Sequence, residues 1–346
     1  MNPLKVTDEA YINFLIATPR VCSATEAARV QPDQPVPPAH DAFTRLLHRL
    51  EPDTATLWRE AAGQVTRCGG ILVVDDSTLD KPYARKIELV RRHWSGKHHA
   101  VVEGINLITL LWTDGDRHIP VDYRLYDKTG DALTKNDHFR ALLETAHGRG
   151  FMPECVVFDS WYSSLENLKR VRDFGWVWLT RLKANRVVNP DRRGLCPVTR
   201  VETDAHGTVV HLKGYGLIRL FKIVAPDDDI EWWASNDLQM SASMRIRWAG
   251  YAWTIEYYHR GIKQFVASNL PKFAPRAPSV TTSACVCGPS CVWSRIAIAP
   301  ESVGLKRKPP SFGLPCGPIW STRFIPWQQP RNFYKYYWMT FKTHTQ

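Results

Sequence analysis

Three acidic positions in this chain follow patterns from which folding could gather carboxylates. Asp75 and Asp76 end the apolar run ILVV, and Asp159 ends a second run, VVF. Buried strands of open α/β sheets deliver such residues to their carboxyl ends, where the chemistry of these folds lies. Glu256 is the third acid, in WTIEYYHRGIKQ, a stretch with helical spacing. One site could therefore contain carboxylates from two strands and a helix.

Three gathered carboxylates suit a hard divalent cation. Mg²⁺ and Mn²⁺ prefer oxygen ligands and keep part of their water. Two such ions roughly 3.5 to 4 Å apart activate a water or hydroxyl and stabilise the leaving oxygen of a phosphodiester. We therefore expect one acid of the Asp75 and Asp76 pair, together with Asp159 and Glu256, to be catalytic and to hold two Mg²⁺ or Mn²⁺ ions.

Only one acid of the Asp75 and Asp76 pair can face such a site, because neighbours in a strand point to opposite faces. Two turn-forming acids after a buried strand would be the simpler interpretation if the other acids were absent. The strand pattern by itself leaves open which of the two binds metal.

Composition limits the class of protein. The chain has 346 residues, 44% of them apolar, which is enough for a catalytic domain with a small accessory region. The longest apolar run, 105–112, has strand length and cannot cross a membrane, and no signal-peptide pattern is present. We expect a cytoplasmic protein. The net charge of +11 is concentrated in residues 271–346, which hold ten of the 45 basic residues and one of the 34 acids.

Residues 1–65 have helical spacing, interrupted by the Pro-rich PDQPVPP. Ser23 or Thr25 is suited to cap the second helix, and Asp41 falls in the first turn of the third. These helices could form a helix-turn-helix that binds DNA ends, or a helical cap over a sheet. The sequence favours neither interpretation.

Residues 66–265 predict the catalytic domain. Three strands come first, namely GGILVVDD, HHAVVEGINLITLLW and HIPVDYRLYD. A basic loop separates the first two and contains Arg91, Arg92 and Lys97, which could hold a DNA phosphate backbone beside the metals. The alternative for this loop is a solvated surface segment.

Alternating helices and strands follow. A helix over 133–147, the Asp159 strand, a helix over 164–174 and the strand WVWLTRLK complete an α/β mixed sheet with a ribonuclease H-like core. Residues 184–235 predict a β-rich insertion. Trp232 and Trp233 close it and could stack on an unpaired base, although buried packing is the commoner fate of such residues.

This order of acids is similar to that of the DDE transposases of bacterial insertion sequences. It resembles most closely the members with a Y-x2-R-x3-E-x6-K signature. Glu256 and Lys263 match the second half, and Trp253 is a common companion. The Tyr and Arg positions fall on Ala249 and Ala252, so the contacts of that Tyr and Arg cannot be carried over.

The resemblance implies cleavage at terminal inverted repeats and joining of the freed 3′-hydroxyl to target DNA. It also implies Mg²⁺ on the three acids, Asp75 as the strand-end ligand, and a homodimer assembled on DNA in a nucleoid-associated protein. His259, Arg260 and Lys263 follow Glu256 on the same helix and are expected to contact DNA. Two alternatives remain: a structure-specific nuclease with the same core, and a non-catalytic DNA-binding remnant.

Residues 266–346 change character and show no sustained period. They could be a disordered basic tail or, through CVCGPSC, a Cys-rich metal knuckle. A third hypothesis is a frameshift near 265–267. Codons for 279–320, read in a neighbouring frame with suitable synonymous choices, encode two amphipathic helices that resemble the C-terminal helices of the family. In that case, this copy is expected to have reduced stability or to be inactive.

Overall fold

Among the residues that the structure describes, four short helices precede the first strand, as the spacing of apolar residues predicts. The computed structural model describes residues 5–17, 23–31, 35–49, 54–82, 89–95, 98–192, 194–224 and 229–263. The helices are α1 (Asp8–Ala17), α2 (Ala24–Arg29), α3 (His40–Arg49) and α4 (Thr54–Ala61). In the described residues, no helix is long and apolar enough to cross a bilayer.

The N-terminal helices pack onto the sheet. Ser23 is the residue that caps α2, because its Oγ accepts the Glu26 N–H at 3.1 Å. Phe43 of α3 and Leu57 of α4 are buried and belong to the same apolar core as the strands. This packing is that of a helical cap, while DNA binding by residues 1–65 stays a prediction.

The first four strands form the antiparallel half of the sheet. They are β1 (Ile71–Asp80), β2 (Arg91–Ser95), β3 (Ala100–Thr113) and β4 (His118–Tyr126). β1 pairs with one edge of β3, and β2 and β4 share the opposite edge. The predicted hairpin of the second and third strands is therefore present as β3 and β4.

Two details differ from the sequence prediction. The basic loop contains the edge strand β2, in which His93 and Ser95 are buried while Arg92 and Trp94 are exposed; the density of charge hid this alternation. β1 also runs past the acid pair to Asp80, because it continues to pair with β3 there. The acids lie instead where the parallel neighbour of β1 ends, since the pairing of Val74 with Phe158 is the last of that ladder.

The parallel half of the sheet alternates with helices. The elements are α5 (Lys135–Gly148), β5 (Cys155–Phe158), α6 (Leu165–Asp173) and β6 (Trp178–Leu182). β5 is parallel to β1, and β6 is parallel to β5. The five strands run in the order β4, β3, β1, β5 and β6, which confirms the predicted mixed α/β sheet of the ribonuclease H type.

The β-rich segment extends this sheet. It contains β7 (Val187–Asn189), β8 (Cys196–Pro197), β9 (Thr208–Leu212), β10 (Gly216–Val224) and β11 (Ile230–Ser235). β11 is antiparallel to β6, so the added strands continue the central sheet at that edge. Trp232 is 4% exposed and belongs to the core, and Trp233 donates its Nε1–H to Glu231 at 2.8 Å. Packing, rather than base stacking, is therefore what is seen for Trp232.

The two faces of the sheet have separate cores. Leu72 and Val74 face the core shared with α5 and α6, whereas Ile71 and Val73 face α7 (Ala242–Ala252) and α8 (Thr254–Gly261). Cys155 and Val157 of β5 lie on the second face too. Because side chains alternate along a strand, residues 75 and 159 continue the α7–α8 face and residue 76 continues the opposite one.

Candidate active site

Asp75 lies on the α7–α8 face with a side chain that is 24% exposed. Burial raises the pKa of Asp75 well above its ordinary value, and the negative charges of Asp76, Glu256 and Asp159 raise it further. The acids at the end of β5 and on α8 therefore lie within electrostatic reach of Asp75.

Asp159 begins a 3₁₀ turn, Ser160–Tyr162, immediately after β5. Its Oδ1 accepts the Ser160 N–H at 2.5 Å and a hydrogen bond from Arg181 Nη2 at 3.0 Å. Arg181 also donates to Glu231 Oε1 at 2.9 Å. Asp159 thus has a cationic neighbour that the sequence prediction missed, although an Arg within the apolar strand WVWLTRLK was a signal of an acidic partner.

Glu256 lies in the first turn of α8 and is exposed. Its backbone N–H bonds to the Trp253 carbonyl at 3.1 Å. One turn further on, the Arg260 guanidinium carbon lies 5.7 Å from the centre of the Tyr257 ring. The exposed Glu256 makes no contact with Asp75 in the described structure, but its negative charge acts on Asp75.

His259 is turned into the protein beside Asp75. Its side chain is 3% exposed, with Nδ1 3.8 Å from Asp75 Oδ2 and Nε2 3.3 Å from Thr109 Oγ1. Burial lowers the pKa of His259 to about 3, and the positive charge of Lys263 contributes to this shift. The ring is therefore neutral. The sequence predicts that His259 contacts DNA. In the structure its ring is buried against Asp75 and Thr109 and is not accessible to a duplex.

Asp76 lies on the other face of the sheet and is fully engaged there. Asn106 Nδ2 and Lys135 Nζ donate to its Oδ2 at 2.8 and 2.7 Å, and Tyr162 Oη donates to its Oδ1 at 2.8 Å. Burial acts to raise the pKa of Asp76, but the charge of Lys135 and these hydrogen bonds outweigh burial and lower it. Asp76 therefore has its own cation and points away from Glu256.

The predicted basic-loop residues have separate surroundings. Arg91 Nε lies 3.2 Å from Asp127 Oδ1 and donates to Thr129 Oγ1 at 2.9 Å. Arg92 is exposed on β2, and Lys97 lies outside the described residues. Arg91 is thus held in an ion pair, and Arg92 is accessible to solvent.

An exposed aromatic residue lies beside Asp159. Trp161 is 57% exposed in the 3₁₀ turn, and Lys183 Nζ lies 5.3 Å from the centre of its ring. Sequence reasoning did not single out either residue. A large exposed ring next to an acid of the site, within the motif DSWYSS, was the available signal.

The donor set fits a hard divalent cation in its chemistry. The three acids supply only oxygen, and the groups that most raise the pKa of Asp75 after burial are other carboxylates, whose repulsion a divalent ion would relieve. Within the described part of the chain, no three His, Cys, Asp or Glu side chains are already drawn together as a ligand set. Binding of an ion would thus require Asp159 and Glu256 to close on Asp75.

Comparisons with known proteins concern the family and the fold of the chain. A family profile described as DDE superfamily endonuclease matches residues 15–208, more than half of the chain, and this stretch includes Asp75 and Asp159. No curated protein sequence gave a significant match. Among solved structures, the chain is similar to the piggyBac transposase in a synaptic complex with hairpin DNA, with a TM-score of 0.53 and 13% identity over 88% of this chain and 70% of that chain. At this identity the likeness concerns the fold alone. The matched family and the shared fold show that this chain belongs to the DDE superfamily of endonucleases.

Proposed function

We propose that this protein is a DNA transposase of the bacterial insertion-sequence type. It would cleave phosphodiesters at terminal inverted repeats and join the freed 3′-hydroxyl to target DNA. Asp75, Asp159 and Glu256 would hold two Mg²⁺ or Mn²⁺ ions. The observation that carries the proposal is that Asp75 and Asp159 directly follow the last paired residues of β1 and β5, on the sheet face covered by α8, which has Glu256 in its first turn.

The protein groups around the acids have distinct tasks in this proposal. The bound ions would supply activation of the attacking oxygen and stabilisation of the leaving one. His259, neutral and buried against Asp75 and Thr109, excludes water from beneath the site and adds no positive charge that would compete with a cation. Arg181 neutralises Asp159 and would have to loosen its contact when Asp159 turns to an ion.

Several groups near the acids suit a DNA backbone. Arg260 and Lys263 follow Glu256, and Lys183 lies by the exposed Trp161 next to Asp159. Cations position phosphates, and an exposed ring can stack on a base. The synaptic complex of the piggyBac transposase with hairpin DNA supports, by analogy, DNA as the ligand, and we propose a homodimer as the assembly on it. Arg91, already paired with Asp127, is the weakest member of the predicted DNA-binding set.

The activity of this copy is a separate matter from its ancestry. Residues 266–346, which carry the frameshift hypothesis, lie outside the described residues. We propose that the reading frame changed near 265–267 and that cleavage by the present chain is weak or absent. The coding DNA tests this directly: codons for 279–320 that cannot encode amphipathic helices in the neighbouring frame would refute it.

A strand-transfer assay separates the candidate functions. The chain as encoded and a frame-restored version are incubated with Mg²⁺, a target plasmid and labelled DNA carrying the repeats that flank the gene. Joined products support a transposase, cut ends without joining support the nuclease alternative, and binding without cutting supports the non-catalytic remnant. The Asp159→Asn variant of each version is the control for contaminating nucleases.

A further inference from the structure

Asp76 connects the strand that carries Asp75 to the turn that follows Asp159. Its carboxylate accepts hydrogen bonds from Asn106 on β3, Lys135 at the start of α5 and Tyr162 at the end of the 3₁₀ turn. These donors come from three different elements, all on the side of the sheet that faces away from α8. The described structure thus ties the two acid-bearing segments together through a residue outside the acid cluster.

We infer that Asp76 is a positioning residue which, through the hydroxyl of Tyr162, sets the separation of Asp75 and Asp159. This inference deepens the proposed function and rests on it. Asp76 itself would not touch metal or DNA.

The need for such a tie follows from the strand pairing. β1 and β5 are parallel, and their last paired residues are Val74 and Phe158. The next residues, Asp75 and Asp159, therefore bring two carboxylates to the same face of neighbouring strands, which lie roughly 4.8 Å apart in sheets, and Arg181 pairs with Asp159 but not with Asp75. Like charges in such positions repel. A bond on the opposite face can hold the strand ends together without neutralising either acid.

The surroundings of Tyr162 make the tie stiff. Its side chain is fully buried, and its ring stacks on Phe139 with centroids 5.2 Å apart. Its carbonyl accepts a hydrogen bond from Asn167 Nδ2 at 2.9 Å. At the other end of the turn, Ser160 N–H holds Asp159. A shift of the Tyr162 hydroxyl would therefore be passed to Asp159 three residues earlier.

The charge of Asp76 fits this geometry. Asn106, Lys135 and Tyr162 each donate to the carboxylate, which can accept all three hydrogen bonds, whereas an amide would lose one acceptor oxygen and the negative charge that balances Lys135. Lys135 supplies the balancing positive charge at 2.7 Å. The connection thus consists of the Asp76–Lys135 ion pair and a hydrogen bond from the Tyr162 hydroxyl to Asp76.

The Tyr162→Phe variant tests the inference, because it keeps the packed ring and removes one hydrogen bond. The matched control is Tyr215→Phe: the Tyr215 hydroxyl accepts the Trp178 Nε1–H at 2.8 Å in the same core, away from the acids. Mn²⁺ binding to the full chain, without DNA, is measured by titration calorimetry for both variants, the wild type and Asp75→Asn. Thermal unfolding of each variant is recorded in parallel.

We expect Tyr162→Phe to weaken Mn²⁺ binding by roughly tenfold or more, as for other residues that orient metal ligands. Tyr215→Phe should leave the affinity unchanged while losing similar thermal stability. If Asp75→Asn abolishes Mn²⁺ binding, the proposed metal site stands. In that case, unchanged Mn²⁺ affinity in Tyr162→Phe, or an equal loss of affinity in Tyr215→Phe, would overturn the inference about Asp76 and leave the metal site in place. A wild type that binds no Mn²⁺, or binds it as Asp75→Asn does, would overturn the proposed metal site and this inference with it.

Discussion

Asp75 and Asp76 are adjacent and chemically identical, but the fold shifts the pKa values of their carboxyl groups in opposite directions. Asp76 has Lys135 and two further donors on its carboxylate, and its pKa is lowered. Asp75 lies on the α7–α8 face, and burial together with the negative charges of Asp76, Glu256 and Asp159 raises its pKa. The two states come from the two faces of one strand, because alternation sends neighbouring side chains to different surroundings.

The difference in charge balance between Asp75 and Asp76 indicates which face of β1 is suited to bind a cation. A carboxylate whose charge the protein already balances has little to gain from a metal ion. A carboxylate such as that of Asp75, whose pKa is raised by burial and by neighbouring negative charges, gains most from a divalent ion. The imbalance at Asp75, next to the compensated Asp76, is therefore the electrostatic signature on which the proposed site depends.

The largest expected effect is on catalysis. Asp75→Asn, Asp159→Asn and Glu256→Gln should each lower DNA cleavage by more than about a thousandfold, as for groups that act as one catalytic unit. Cleavage of labelled terminal-repeat DNA by the frame-restored protein measures this. Asp173→Asn, at the exposed end of α6, is the control and should keep full activity. Cleavage by Asp159→Asn at the wild-type rate would remove Asp159 from the site.

The next effect is on stability, through Asp76. At pH 7, Asp76→Asn should lower the free energy of unfolding by about 3 kcal/mol, because it leaves Lys135 without its buried partner. The folded-state pKa of Asp76 is below its ordinary value of 3.8. The stability it contributes is therefore present above pH 3.8 and lost as the pH falls through the folded pKa. Urea unfolding at several pH values checks both points, and equal stability of the two proteins at pH 7 would contradict them.

A smaller effect comes from metal binding to the folded chain. Mg²⁺ at about ten times its Kd should raise the free energy of unfolding by about 1.4 kcal/mol. The increase should be absent in Asp75→Asn and present in Asp76→Asn, with weaker affinity in the latter. Thermal unfolding with and without Mg²⁺ measures this. The same increase in Asp75→Asn would place the ion elsewhere.

The smallest effect has the opposite sign to that of Asp76→Asn. Asp75→Asn without metal should raise the free energy of unfolding at pH 7 by about 1 kcal/mol, because a neutral amide avoids the repulsion. The folded-state pKa of Asp75 lies above 3.8, so the stability that it contributes is full below pH 3.8 and lost as the pH rises through the folded pKa. The gain in the free energy of unfolding caused by Asp75→Asn should therefore vanish below pH 3.8. Urea unfolding would contradict this interpretation if Asp75→Asn were less stable than the wild type at neutral pH.

Much of the fold could be predicted from periodicity. The apolar runs around β1, β3 and β5 and the helical spacing of α5 and α6 are local signals, and each produced the expected element. β2 was missed because its alternation is carried by His93 and Ser95 among basic neighbours. The antiparallel pairing of β11 with β6 was missed for a different reason, since the residue pattern of a strand does not indicate with which strand of the sheet it pairs.

The partners of the acids were harder to predict than the acids themselves. An acid after an apolar strand is visible in the chain, so Asp75, Asp76 and Asp159 could be found. Arg181, Lys135 and Tyr162 are ordinary residues of their own elements, and only their contacts make them part of the arrangement. The burial of His259 was likewise hidden, because a helix pattern shows which residues share a face and not what covers that face.

By itself, the sequence determined that neighbouring acids at 75 and 76 must face opposite ways and that a third and a fourth acid occur in a strand and a helix. The tertiary structure decided that the α7–α8 layer covers the face of Asp75 and that Lys135 and Tyr162 meet Asp76 on the other. The physical reason is the sequence distance over which the interactions act. Alternation is a property of one strand, whereas the pKa of a carboxylate depends on charges that folding brings close from distant parts of the chain.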